Sequence, residues 1–215
     1  IDEDQIVFKY SGVRPLAASG DINPGVVSRD YRIVRTSAEN DVPVLSLVGG
    51  KWTTFRALGE HLSSDVLKLL GKNRVLSTQK LPIGGGKDFP TTPEAQHSWT
   101  DDHRGLVAKE RAMQLLLRYG TRAKPILEYI AANPETMLTH SSGFSDSEIE
   151  YLVINESVYR LEDLVNRRTN LAFTGSMTTS SLKELASILQ KSLGWEEGKS
   201  ASEVSGVRIE AGSRI

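Results

Sequence analysis

The sequence predicts an α+β protein in which short strands and one helix come first and an all-α region follows. Three observations predict it. Val44 to Val48, VLSLV, is an apolar run that ends at Gly49-Gly50, after which the pattern turns to helical spacing. Residues 72–98 hold Gly84-Gly85-Gly86 with Pro82, Pro90 and Pro93 and show little periodicity. Beyond them apolar residues recur at helical spacing to residue 194, separated by turn and capping signals.

Val7, Phe8 and Tyr10 form a short β-prone run that stops at Ser11-Gly12, and Arg14-Pro15 forces an extended or turning backbone. Residues 17–26, AASGDINPGV, are turn chemistry. Tyr31 to Arg35 alternates polar and apolar residues, as a half-buried strand does. Val44 to Val48 lacks clear alternation and reads as a strand covered on both faces. Leu58, Leu62, Val66, Leu69 and Leu70 then share one helical face, with Gly71 placed as the C-terminal cap.

Residues 72–98, PIGGGKDF included, read as a linker or wrapping loop. Thr100 is placed to cap a helix reaching Tyr119, stopped by Gly120. Ala123, Ile126, Leu127, Ile130 and Ala131 draw a second stripe that ends at Asn133-Pro134. Ser145 with Glu148, and Ser181 with Glu184, have capping-box spacing ahead of apolar runs, and Leu161 to Arg168 is a short helix between them. The expected domains are residues 1–71, a linker at 72–98, a small helical bundle at 99–194 and a flexible tail at 195–215.

Composition narrows the function. With 215 residues, 39% hydrophobic and 25% charged, the chain can bury a core in one large or two small domains. A net charge of -1 makes no bulk case for nucleic acid or an anionic membrane. The absence of cysteine excludes disulfides, thiolate metal sites and a cysteine nucleophile, and fits a reducing compartment. No run approaches the roughly 20 apolar residues of a spanning helix, so any membrane association is expected to be peripheral. The opening IDEDQIVF lacks a methionine, which suggests a piece of a longer protein.

The chemistry centres on GGKWTTFR, Gly49 to Arg56. A strand that ends in glycines and starts a helix presents free backbone N-H groups and a partial positive charge to an oxygen-rich ligand. Glycine allows close approach, Lys51 adds a full positive charge, and Thr53 and Thr54 can cap the helix or donate to the ligand. A tight turn with ordinary threonine caps and a solvated lysine accounts for the same local pattern.

Two further segments decide between these readings. YSGVRPL, Tyr10 to Leu16, and VVSRDYRIV, Val26 to Val34, together with GGKWTTFR and in this order, resemble the FAD-dependent glycerol-3-phosphate dehydrogenases, respiratory flavoenzymes that pass electrons to quinone. Tyr119-Gly120, SEIEYLV and ESVYRLEDLVNRRT resemble the helical C-terminal cap domain of that family, so the similarity covers roughly residues 5–194. The resemblance implies that Arg14 and Arg29 bind the substrate phosphate together with Lys51. It implies that Gly49, Gly50, Lys51, Trp52, Thr53 and Thr54 meet the flavin of FAD, and that Lys51 assists catalysis. Two guanidinium forks suit a phosphate dianion, and a cation beside helix-terminal amides suits charge developing on the flavin edge.

The resemblance further implies glycerol 3-phosphate as substrate, quinone as acceptor, a homodimer, no nucleic-acid partner, and a cytoplasmic enzyme with peripheral contact at the inner face of the cell membrane. The family's G-x-G-x-x-G fingerprint does not occur here, so the adenine end of FAD has no expected site in this chain. His61, His97, His103 and His140 read as surface or packing histidines, and the general base is expected upstream of Ile1. Trp52 stands where the family often has a smaller aliphatic residue, and AASGD stands where it often has acids, which leaves dehydrogenase and oxygen-using oxidase both open. The chain alone is expected neither to hold FAD firmly nor to turn over. A helical interaction module without its own activity is the rival reading. The pair Arg167-Arg168 invites a nucleic-acid or lipid role, but adjacent arginines on a short helix more often cap its end or pair with Glu162 and Asp163.

Overall fold

The computed structural model describes residues 2, 5–9, 30–196 and 198–207, without the side chain of Glu39. Tyr10, Arg14, the 17–26 turn segment, Arg29 and the last eight residues of the expected tail lie outside the described residues. Those described within Gly12–Pro82 form one compact unit, and those within Ile1–Ser11 and Ile83–Ile215 form the other.

In the first unit, β1 (Arg32–Ser37) and β2 (Pro43–Val48) pair antiparallel, with Arg32 opposite Val48 and Ser37 opposite Pro43. Asn40 and Asp41 turn the chain between them in left-handed conformations that their short polar side chains tolerate. Strand β2 is not covered on both faces. Leu45 and Val48 are half-buried while Val44 and Leu47 are exposed, because among the described residues this unit sets one helix against two strands. After a single 3-10 turn at Trp52–Thr54, helix α1 (Phe55–Leu69) follows the predicted apolar stripe. It ends as predicted at Gly71, whose positive φ of 67° lets the Lys72 amide donate to the Leu67 carbonyl at 2.8 Å.

The segment after α1 is bound back to it. The Glu60 carboxylate accepts from the amide and hydroxyl of Thr78, each at 2.5 Å, Arg74 donates to the Glu60 carbonyl at 2.6 Å, and Arg56 donates to the Thr78 carbonyl. The Thr78 hydroxyl and amide hold the Glu60 carboxyl below its ordinary pKa.

The second unit is helical: α2 (Pro93–Asp102), α3 (Lys109–Tyr119), α4 (Ala123–Ala132), α5 (Asp146–Asn155), α6 (Leu161–Asp163), α7 (Thr179–Leu193) and α8 (Lys199–Gly206). Its core has two parts. One gathers Phe144, Ile149, Leu164, Leu185 and Leu189, the other Leu115, Ile126 and Leu127, and Tyr119 packs against both.

Several expectations change here. Thr100 does not start a helix to Tyr119. It is buried inside α2, which begins with Pro93 at its first turn and Thr92 accepting from the Ala95 amide at 3.2 Å; the proline was the usable signal. Helix α7 starts three residues earlier than the Ser181–Glu184 spacing suggested. Thr178 is its N-cap and Ser181 the third residue, while Glu184 accepts from the Thr139 and His140 amides.

The predicted tail contains α8, held by the Leu161 amide donating to Glu203 at 3.0 Å and by a Lys199–Glu203 ion pair at 2.7 Å. Val7 and Phe8 lie in neither strand nor helix, and the Phe8 ring meets Phe173 edge-on at 4.9 Å.

The glycine cluster of PIGGGKDF is a docking point. A Cβ on Gly85 would collide with the Tyr119 carbonyl, and one on Gly120 with the backbone of Gly85. Thr121 secures the approach by donating to the Gly85 and Lys87 carbonyls at 3.2 and 2.6 Å. These glycines serve backbone contact within the helical unit, consistent with the missing nucleotide fingerprint.

Candidate functional site

The strand-turn-helix at the end of β2 is built as its sequence predicts. Gly49 and Gly50 have φ of 77° and 107°, which L side chains rarely adopt. A Cβ at Gly49 would stand 2.9 Å from the Asp30 carbonyl oxygen, and one at Gly50 would stand 3.1 Å from Leu58 and 3.5 Å from the Tyr31 side chain. Glycine at both positions therefore lets the turn close over the chain leading into β1.

Lys51 follows in an extended conformation, and its carbonyl accepts from the Thr54 amide at 3.1 Å and the Thr54 hydroxyl at 3.0 Å. The Thr54 hydroxyl thus donates back into its own turn and does not cap α1, while Thr53 is exposed and Trp52 is 90% exposed. Among the described residues, no carboxylate pairs with Lys51. An exposed ammonium, an exposed indole and the amides of a nascent helix stand on one turn, a donor set that fits an electron-rich, planar or anionic group. Arg14 and Arg29, the predicted phosphate ligands, lie outside the described residues.

A polar cluster beside this turn was not legible in the local motifs. The Tyr31 hydroxyl lies 3.2 Å from His61 Nδ1, with the rings edge-on at 5.8 Å. One helical turn on, Asp65 is 7% exposed and pairs with Arg35 of β1 at 3.2 Å, with Lys68 at 3.7 Å and His61 at 4.0 Å. The hydrogen bond from Arg35 holds the Asp65 carboxyl below its ordinary pKa, against the opposing effect of burial. The i,i+4 spacing of His61 and Asp65 was the available signal. His61 is thus a surface histidine with a partner, and His103 stacks on Trp99 at 4.1 Å as a packing residue. Among the described residues no group of His, Asp and Glu is placed to hold a metal ion, and no helix is long and apolar enough to cross a membrane.

A family profile described as the C-terminal domain of alpha-glycerophosphate oxidase matches residues 76–200. The chain belongs to the glycerophosphate oxidase and glycerol-3-phosphate dehydrogenase family. Within that family it is 29% identical over 180 residues to a glycerol-3-phosphate dehydrogenase of Pseudomonas tolaasii, covering 84% of this chain and 34% of the relative. It is 32% identical over 177 residues to a D-erythritol 1-phosphate dehydrogenase of Brucella abortus strain 2308, covering 77% and 33%. To the aerobic glycerol-3-phosphate dehydrogenase of Escherichia coli K12 it is 27% identical over 176 residues, covering 79% and 34%. The chain spans about a third of the length of these relatives.

Proposed function

We propose that this chain is the portion of an FAD-dependent glycerol-3-phosphate dehydrogenase that carries the phosphate-binding arginines, the flavin-facing turn and the helical cap. The parent enzyme would oxidise sn-glycerol 3-phosphate to dihydroxyacetone phosphate and pass the electrons to quinone. The observation that carries this reading is the Gly49–Thr54 turn, where two left-handed glycines, an exposed Lys51 and a helix start coincide at the end of a strand.

FAD bound in the parent supplies the acceptor for the hydride leaving the substrate carbon. Lys51 and the amides of residues 50–52 offer positive potential where negative charge grows on that acceptor. Arg14 and Arg29 would fix the phosphate and so orient the reacting carbon. Thr54 keeps the turn rigid, and Trp52 and Thr53 are exposed for contact. The same reading carries a homodimer and peripheral contact with the inner face of the cell membrane.

A second acceptor and a second substrate have specific support. The matching family is described by an oxidase, which makes oxygen the alternative to quinone, and one relative is named for D-erythritol 1-phosphate. Both named substrates are polyol phosphates, so the arginine clamp serves either.

Two measurements test the reading. The purified 215-residue chain mixed with FAD, glycerol 3-phosphate and a dye acceptor should give no dye reduction above background; robust turnover would overturn its assignment as a part of a larger site. In the intact enzyme, Lys51→Gln should lower kcat/KM by about 100-fold, and Arg29→Gln should raise KM for glycerol 3-phosphate far more than for a phosphate-free polyol. Wild-type kinetics in both variants would remove the site.

A further inference from the structure

The helical unit contains a cavity of about 630 Å³ that the proposed reaction does not use. Four arginines line it, Arg118, Arg122, Arg167 and Arg168, against a single carboxylate residue, Glu156. Two of the four already have carboxylate partners. Arg118 donates to Glu148 at 2.6 Å and lies over the Phe144 ring at 4.0 Å, and Arg167 pairs with Asp163 at 2.9 Å and Glu162 at 3.7 Å.

The other two are placed differently. Arg168 donates to the backbone carbonyl of Glu156 at 2.6 Å, and among the described residues no carboxylate lies within ion-pair distance of Arg168 or Arg122. Arg168 owes its position to a π-helical turn at Leu164–Arg168, in which the Thr169 amide donates to the Leu164 carbonyl at 2.9 Å. Such turns cost regular hydrogen bonding and recur at functional sites. Thr169 and Asn170 add polar groups beside the arginines, and the apolar and aromatic part of the wall includes Ile126, Phe144 and Tyr151.

We propose that this cavity binds a small organic anion, its phosphate or carboxylate held by Arg122 and Arg168 and its apolar body laid against Ile126, Phe144 and Tyr151. Guanidinium groups without carboxylate partners recognise such head groups through paired, charge-assisted hydrogen bonds. A volume of this order suits a compact molecule, and the mixed wall matches pockets in which a few polar groups orient an otherwise apolar ligand. All of its lining residues belong to the helical unit, and it does not depend on the reading of the Gly49–Thr54 turn.

Calorimetric titration of the 215-residue chain at low ionic strength tests this, with phenyl phosphate, benzoate, inorganic phosphate and benzyl alcohol as probes. Phenyl phosphate or benzoate should bind at one site, the tighter of the two identifying the head group, while benzyl alcohol should not bind and inorganic phosphate should bind more weakly. Arg122→Gln and Arg168→Gln should each weaken binding at least about ten-fold, and Lys183→Gln, at an exposed position of α7 outside the cavity wall, should leave it unchanged. Arg122 is exposed and holds no structural partner among the described residues, so its variant should keep the wild-type unfolding midpoint even if Arg168→Gln does not. Absence of binding by both anions up to about 10 mM, equal binding of benzyl alcohol, retained binding in Arg122→Gln, or loss in Lys183→Gln would each overturn the proposal.

Discussion

The two compact units differ in how they hold themselves together. In the helical unit Leu115, Leu127, Leu161, Leu164, Leu185 and Leu189 are sealed from solvent. In the strand-containing unit the one buried residue among those described is Asp65, an acid, while Phe55, Leu70, Leu76 and Leu81 are exposed and Val75 is 92% exposed. The first seals an apolar core; among the described residues the second is tied by polar contacts and leaves apolar side chains exposed. The turn proposed to meet the flavin belongs to the second.

The polar networks repeat the contrast. In the helical unit Glu148 is fully buried and its carboxylate accepts from Arg111 at 2.8 Å, Arg118 at 2.6 Å and the Tyr119 hydroxyl at 2.6 Å. Arg111 also donates twice to Glu135, at 3.0 and 2.8 Å. Burial works against the Arg111 charge, but the bonds to Glu135 and the charge of Glu148 outweigh it and raise its pKa; burial and Glu148 push the Tyr119 phenol up as well. In the other unit the ties through Glu60 and Asp65 join one helix to its flanking segment and to β1.

The sharpest test of this contrast is to separate the units. Residues 83–215 expressed alone should unfold in one sigmoidal urea transition, and residues 12–82 alone should show none. A cooperative transition in the smaller piece would break the comparison.

Next in size, Glu148→Gln should cost the helical unit about 3–5 kcal/mol, because it leaves buried guanidinium charge uncompensated. Circular dichroism against urea measures it. Leu185→Ala, at a sealed position, should cost about 2–5 kcal/mol, whereas Val75→Ala should stay within about 0.5 kcal/mol. Equal losses would mean that Val75 has a partner in solution.

The smallest effect is one of pH. Glu60 has its pKa lowered from 4.5 by Thr78, so its contribution is fully present above that ordinary value and is lost as pH falls through the depressed one. Hydrogen-exchange protection of the Thr78 amide should therefore persist at neutral pH and fade in acid. Glu60→Gln should remove that acid dependence.

Reading the sequence located the helices well where one period dominates, as in α1, α4 and α5, and less well where a short signal competed with a longer pattern. Pro93 outranked Thr100 as a helix start, and Thr178 displaced Ser181. The Ser145–Glu148 spacing was half right: Ser145 caps α5 by accepting from the Glu148 amide at 3.2 Å, but the Glu148 side chain turns to the buried arginines instead of back to the cap. Of the candidate site, the strand-turn-helix backbone at Gly49-Gly50 was legible, because glycine conformations act within a few residues, whereas the expected threonine caps do not form.

By itself, then, the sequence determined the helical periods, the strand-turn-helix at Gly49-Gly50 and the ordered motifs that point to the family, all encoded by neighbours along the chain. Tertiary structure alone decided that Gly85 and Gly120 meet, that Glu148 gathers Arg111, Arg118 and Tyr119, and that Arg122 and Arg168 have no carboxylate partner among the described residues. The reason is that ion pairing and backbone approach depend on distance in space, and the partners here stand some thirty residues apart in sequence, as with Arg118 and Glu148 at a separation of 30. No local pattern carries that information.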